Sequence, residues 1–396
     1  RGIGRQGGLR DRAPEGQLFR MAGLNLLAAI IIYWNTKHLG QAVNHRKSEG
    51  LDSPAALPAP TPPPAYLAPA GPSAPVPPQS RAVDHFLGVL LGCVGGLLAL
   101  LVLAFGIAQR DPAAAHIVTI SALLAGAILA GLACWNGRSA TATAVPGALW
   151  LILGILGITS TFQSGIWRAS MPEIGGIEVY YGVSSAAVSG VTLVVGTTLS
   201  ALAVAASIAR RRGRSWERRE QALHLRGAVA TPPAPRIGSH LVAIIVAVIV
   251  TAFTAVMLDS VLGARLVLMA PLSSTELIFT LVLAIVGTIA VALTGAMSSL
   301  GPAAGGLTWL IAGISAMLSN TGTDLFTTLL HPILQEPLNL NSWGRLTSMG
   351  PPWVLGLLLV GGAAGIHLAR RAGRALQRRE EQSIASQATA WTSPRV

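Results

Sequence analysis

From Asp84 onward the chain runs in apolar blocks long enough to cross a bilayer, for which about 20 helical residues suffice. Eight such segments fall at roughly 86–108, 114–135, 146–163, 183–208, 240–258, 276–297, 302–320 and 352–369. Pro302 and Pro352 stand at segment starts, where a missing N–H costs a helix least. An earlier apolar run at 23–36 is different: Gly23 and Trp34-Asn35-Thr36 bound a stretch of only about a dozen residues, too short to span. Leu24, Leu27, Ala28, Ile31 and Ile32, continued by Leu39 and Val43, follow helical spacing and predict a buried helix of a soluble domain.

Residues 51–80 hold eleven of the 25 prolines. Such a segment populates extended polyproline conformations and builds no core. The organisation predicted is a helical N-terminal block at 1–50 and a Pro/Ala-rich linker at 51–83. A membrane body follows at 84–222 and 240–382, joined by a cytoplasmic linker at 223–239 and ended by a disordered tail at 383–396.

Composition agrees with a membrane protein. Of 396 residues, 52% are hydrophobic and 11% charged, with a mean hydropathy of +0.58, far from an average soluble domain. The 44 glycines and many alanines suit helices whose backbones approach closely in lipid. The predicted fold is all-α: a polytopic helical membrane protein of about eight transmembrane helices, with the lipid bilayer as its partner.

The formal charge of +12 suggests nucleic acid at first, yet the basic residues cluster beside apolar segments, where topology explains them. Arg-rich runs follow the fourth segment (209–220) and the eighth (369–380), which places both runs, and both termini, on the cytoplasmic side of the cell membrane. The loops 164–182 and 321–351 then fall outside, and Gly137-Arg138 inside; Arg110 and Arg265 fall outside, against the rule. The two runs also match each other. Ala209-Arg210-Arg211, Gly213-Arg214 and Arg218-Arg219-Glu220 recur as Ala369-Arg370-Arg371, Gly373-Arg374 and Arg378-Arg379-Glu380, a constant offset of 160. This predicts a parallel four-plus-four repeat, an arrangement known among transporters.

Candidate chemistry in the membrane half is sparse. Asp259, Glu276, His116 and His367 lie near segment ends, where a charged head reaches water cheaply. The outer loop 319–343 sets Asp324, His331 and Glu336 in an apolar frame, a candidate binding element whose spacing does not resemble a metal site. Cys93 and Cys134 lie within apolar stretches and read as small buried hydrophobes. The sequence has no phosphate-binding glycine loop, paired CxxC or HExxH, so no reaction is announced.

The N-terminal block carries a family resemblance. Glu15-Gly16-Gln17-Leu18-Phe19-Arg20-Met21-Ala22-Gly23-Leu24-Asn25-Leu26, then Ala29-Ile30, Trp34-Asn35-Thr36, Leu39 and Ala42, resembles the end of the catalytic domain of Tn-three-type replicative (DDE) transposases. The glycine- and arginine-rich approach at 4–12 resembles the family as well. The resemblance implies a fragment of an RNase H-like domain, DNA as partner, and Mg²⁺ held by three carboxylates that activate an oxygen for attack on a phosphodiester. Glu15 corresponds to the glutamate of that triad, and Arg20 to a phosphate contact or core anchor. Gly16 and Ala22 replace an acid and a serine of the pattern.

The triad's two aspartates are expected upstream of Arg1, so the chain as given is predicted to be catalytically incomplete. With its first methionine at Met21 and no secretory signal pattern, it reads as a fragment or a frame whose start was not captured. The predicted whole is a transposase tail fused to an integral membrane protein, which is transporter-like, channel-like or a scaffold without a substrate.

Overall fold

The computed structural model describes residues 81–109, 115–159, 168, 171–174, 177–225, 237–266, 275–319 and 350–392, all within one compact unit that spans Pro75–Val396. Its long helices are α1 (Arg81–Ala108), α2 (Ala115–Trp135), α3 (Thr141–Ile158), α5 (Val191–Leu225), α6 (Ile237–Leu266), α7 (Thr275–Thr294), α8 (Leu300–Ser319) and α9 (Pro351–Thr392). A two-stranded hairpin, β1 (Glu173–Ile174) and β2 (Ile177–Glu178), runs directly into the short helix α4 (Val179–Val188). Among the described residues the fold is therefore all-α apart from that hairpin. Among the described residues, seven of the helices are long and apolar enough to cross a membrane, against the count of about eight expected from hydropathy.

The interior is apolar, as in a soluble protein, but so is much of the exposed surface. On α1 the large side chains Phe86, Leu90, Val94 and Leu97 are exposed, whereas Ala99, Leu103 and Ala104 are buried. In water such a face would be an association hazard; against lipid tails it is matched to its solvent, and small residues go to the helix contacts instead. Gly96 is one of these: a Cβ there would sit 2.5 Å from the Cβ of Pro146 on α3. The same crossing is fastened by Trp150 of α3, fully buried, whose indole N–H donates to the Gly96 carbonyl at 3.1 Å.

Helix α1 packs on α2 and α3, and α3 on α5; likewise α6 packs on α7 and α8, and α8 on α9. The two sets are joined because α9 also packs on α2, α5 on α7, and α5 on α9.

Some boundaries differ from those read in the sequence. The expected segment 146–163 begins earlier, at Thr141, with Pro146 inside the helix, where it cannot donate the usual bond to the carbonyl four residues back. The expected segment 183–208 is broken at Ser189-Gly190. Gly190 has φ +83°, a left-handed backbone, and its carbonyl accepts the Val194 N–H at 3.1 Å as α5 begins. Gly350, with φ +77°, does the same for Val354 at the start of α9. Hydropathy averaged over twenty residues is blind to a one-residue turn.

Candidate functional site

Of the residues singled out in the sequence, Glu15, Arg20, Asp324, His331 and Glu336 lie outside the described residues. Asp259 is not at a helix end: α6 continues to Leu266, and Asp259 is buried. Glu276 is exposed in the first turn of α7, where a carboxylate favours the helix dipole. His116 and His367 are exposed. Both cysteines are free, and the Cys134 thiol donates to the Gly361 carbonyl at 3.4 Å. Among the described residues, no group of three or more His, Cys, Asp or Glu could hold a metal.

The concentrated chemistry lies at one end of the bundle, where the basic continuations of α5 and α9 run together. Arg210 donates to the carbonyls of Asn136 (2.8 Å) and Gly137 (3.1 Å), just past the end of α2. Arg370 reaches the carbonyls of Gly295 (3.3 Å), Ala296 and Met297 (each 3.5 Å) past the end of α7. A guanidinium at a helix C-terminus satisfies carbonyls that have no intrahelical donor and complements the dipole. Arg212 adds a bond to the Ala296 carbonyl at 2.6 Å.

Farther along the two helices, Gly213 lies against the backbone carbonyl of Arg370, and Gly373 against that of Arg210. This is backbone-to-backbone contact that any Cβ would obstruct. Beyond the glycines, Glu217 accepts from the Nε of Arg378 at 2.5 Å, and Gln377 accepts from the Nε of Arg218 at 2.8 Å. The Arg374 guanidinium stacks 5.5 Å from the centre of the Trp216 ring.

The same end carries two histidine–serine contacts. His85 Nδ1 and Ser139 Oγ are 2.8 Å apart, and His240 Nδ1 and Ser298 Oγ are 2.7 Å apart. Each serine also accepts a backbone N–H that opens the following helix, from Thr141 at 3.3 Å and Leu300 at 3.2 Å, a capping role. No motif in the sequence marks these histidines. The 160-residue offset of the Arg-rich runs was the signal for the α5–α9 contacts, and it could have picked out Glu217 and Gln377, which are also 160 apart. At the opposite end, Arg168 grips Glu178 through two bonds of 2.8 Å each. That hydrogen-bonded carboxylate raises the arginine above its ordinary range.

The described residues form a helical body with seven helices apolar enough to cross a membrane and a basic, interlocked end. Compared with known families, the chain matches the Tn3 transposase DDE domain over residues 2–63. No curated protein and no solved structure matches the chain.

Proposed function

We propose that residues 84–382 form an integral membrane protein built from two parallel four-helix units, 84–222 and 240–382. In this reading it acts as a scaffold that holds two basic helices side by side at the cytoplasmic surface. The observation that carries it is the reciprocity of the α5–α9 contacts: Gly213 on Arg370 against Gly373 on Arg210, and Glu217–Arg378 against Arg218–Gln377. Adding 160 to Arg210, Gly213, Glu217 and Arg218 gives their counterparts Arg370, Gly373, Gln377 and Arg378, the relation expected of two copies about a pseudo-two-fold axis. The left-handed Gly190 and Gly350 are also 160 apart. Glycine and alanine fill the seam with backbone, which favours a scaffold over a pore at that axis.

A transporter-like or channel-like protein is the second reading, favoured by the parallel repeat itself. Uptake of any solute into proteoliposomes, from a broad panel, would replace the scaffold with it.

Residues 1–50 are proposed to be a transposase tail joined through a linker, 51–83, by a fusion or frameshift. The family implies DNA and divalent metal ions. Within these residues the family pattern beside Glu15 is altered at Gly16 and Ala22, which does not fit an intact metal-binding carboxylate site. Residues 1–50 are therefore expected not to support strand transfer with Mg²⁺ and transposon-end DNA. Cleavage that Glu15→Gln abolishes would overturn this.

Topology is tested with Cys93→Ala and Cys134→Ala as background. Ser170→Cys is expected to react with an impermeant thiol reagent from outside, and Ser215→Cys only after the membrane is opened. Labelling of Ser215→Cys in sealed cells would sink the proposed orientation.

A further inference from the structure

A groove of about 370 Å³ runs between the start of α3 and α5 at the basic end of the bundle, within the size range of small-molecule clefts, about 300–1,000 Å³. Its walls include Ala144, Val204 and Ile208, and its rim Thr141, Ser207 and Arg211. Val204 is 51% exposed, so the groove opens sideways, on the face that lipid tails would cover. Thr141 and Ser207 spend their protons on the carbonyls of His85 and Ala203. Among the described residues, Arg211, exposed, is the cation left to meet a ligand, and no carboxylate lines the groove.

We propose that this groove binds an anionic phospholipid, with an acyl chain along Ala144, Val204 and Ile208 and the phosphate at Arg211. The proposal rests on the membrane reading above. Charge complementarity selects an anion, and the apolar walls select one that carries hydrocarbon, since a free phosphate gains nothing from them. The second unit does not repeat the groove's lining. It keeps Arg371, but Val204 and Ser207 are replaced by Ala364 and His367, and Leu300 opens α8 where Thr141 opens α3. Arg371 is therefore a control for charge alone.

The test uses the full chain in nanodiscs of phosphatidylcholine with a minor share of phosphatidylglycerol, with the retained lipid identified by native mass spectrometry. The protein is expected to retain phosphatidylglycerol preferentially. Arg211→Gln should cut that retention about fivefold, the worth of one interfacial arginine; Arg211→Lys should keep most of it, and Arg371→Gln should leave it unchanged. Val204→Trp should block retention with Arg211 in place.

Equal losses in Arg211→Gln and Arg371→Gln, or full retention in Val204→Trp, would overturn the site. So would displacement of the lipid by inorganic phosphate alone, which would mark a free-anion site. Failure of the membrane reading is separate: the chain would then leave membranes with salt or alkaline carbonate and would not enter nanodiscs.

Discussion

Glu217 of α5 is buried, with 7% of its side chain exposed, and accepts a hydrogen bond from Arg378 of α9, whose side chain is 62% exposed. A carboxylate so placed depends on its partner more than the partner depends on it, because the arginine reaches water when released and the glutamate does not. Arg378→Ala is therefore expected to lower the melting temperature of the purified protein more than Arg218→Ala, whose partner Gln377 carries no charge. Glu217→Arg should destabilise through repulsion, and Glu217→Arg with Arg378→Glu should recover most of the loss. A double-mutant cycle of thermal melts reads this coupling directly; additive losses would mean that the pair contributes nothing to the seam.

The glycines of the seam predict a sharp contrast between positions. Gly213→Ala and Gly373→Ala drive a methyl into a backbone carbonyl of the facing helix, which cannot swing aside as a side chain can. Both variants should melt lower and separate α5 from α9. At Gly131 of α2 nothing lies within 4 Å of an added Cβ, so Gly131→Ala should be neutral or stabilise by about 0.5–1 kcal/mol, the helix-propensity gain. Gly190→Ala and Gly350→Ala are expected to cost about 1–2 kcal/mol each from the left-handed backbone alone. Unfolding titrations in mixed micelles rank all five.

How far the chain's sequence foretold its fold can be judged from these same residues. The apolar lengths announced the long helices because lipid fixes how many residues a crossing needs. The offset between Arg210 and Arg370 was visible because charged residues are rare enough here for a pattern to stand out. The turn at Gly190 and the burial of Asp259 were not legible: a single left-handed residue leaves hydropathy unchanged, and how far a helix runs past an acid depends on its packing. The His85–Ser139 and His240–Ser298 contacts join residues more than fifty positions apart, which no local spacing rule relates.

At the hairpin end, the pH behaviour of Arg168 follows from its raised protonation equilibrium, caused first by the hydrogen bond to Glu178. A group whose equilibrium is raised on folding contributes stability that is fully present below its ordinary value. That contribution is lost only as pH climbs through the raised one. For an arginine both lie well above the pH range of the measurement, so the difference in melting temperature between the parent protein and Arg168→Gln should be the same at about pH 6 and pH 10. Because Arg168 is largely exposed, at 54%, the difference should shrink at about 1 M salt, where the screening length falls to about 3 Å. A difference that persists in salt would mean that the side chain acts by packing against Tyr181, whose ring centre is 5.3 Å from the guanidinium, rather than through its ion pair.

Trp150 separates two contributions within the first crossing. Its indole N–H bonds the Gly96 carbonyl, and its ring, fully buried, fills the space between α3 and α1. Trp150→Phe removes the bond but keeps most of the volume, and should cost about 0.6 kcal/mol, the average for an interhelical hydrogen bond in a membrane protein. Trp150→Ala removes both and should cost about 3–5 kcal/mol, since the backbone contact of Gly96 with Pro146 leaves α1 and α3 little room to collapse into the cavity. Reversible unfolding in mixed micelles measures both. Equal losses for the two variants would place the weight of the crossing on the hydrogen bond and contradict an assembly governed by close packing.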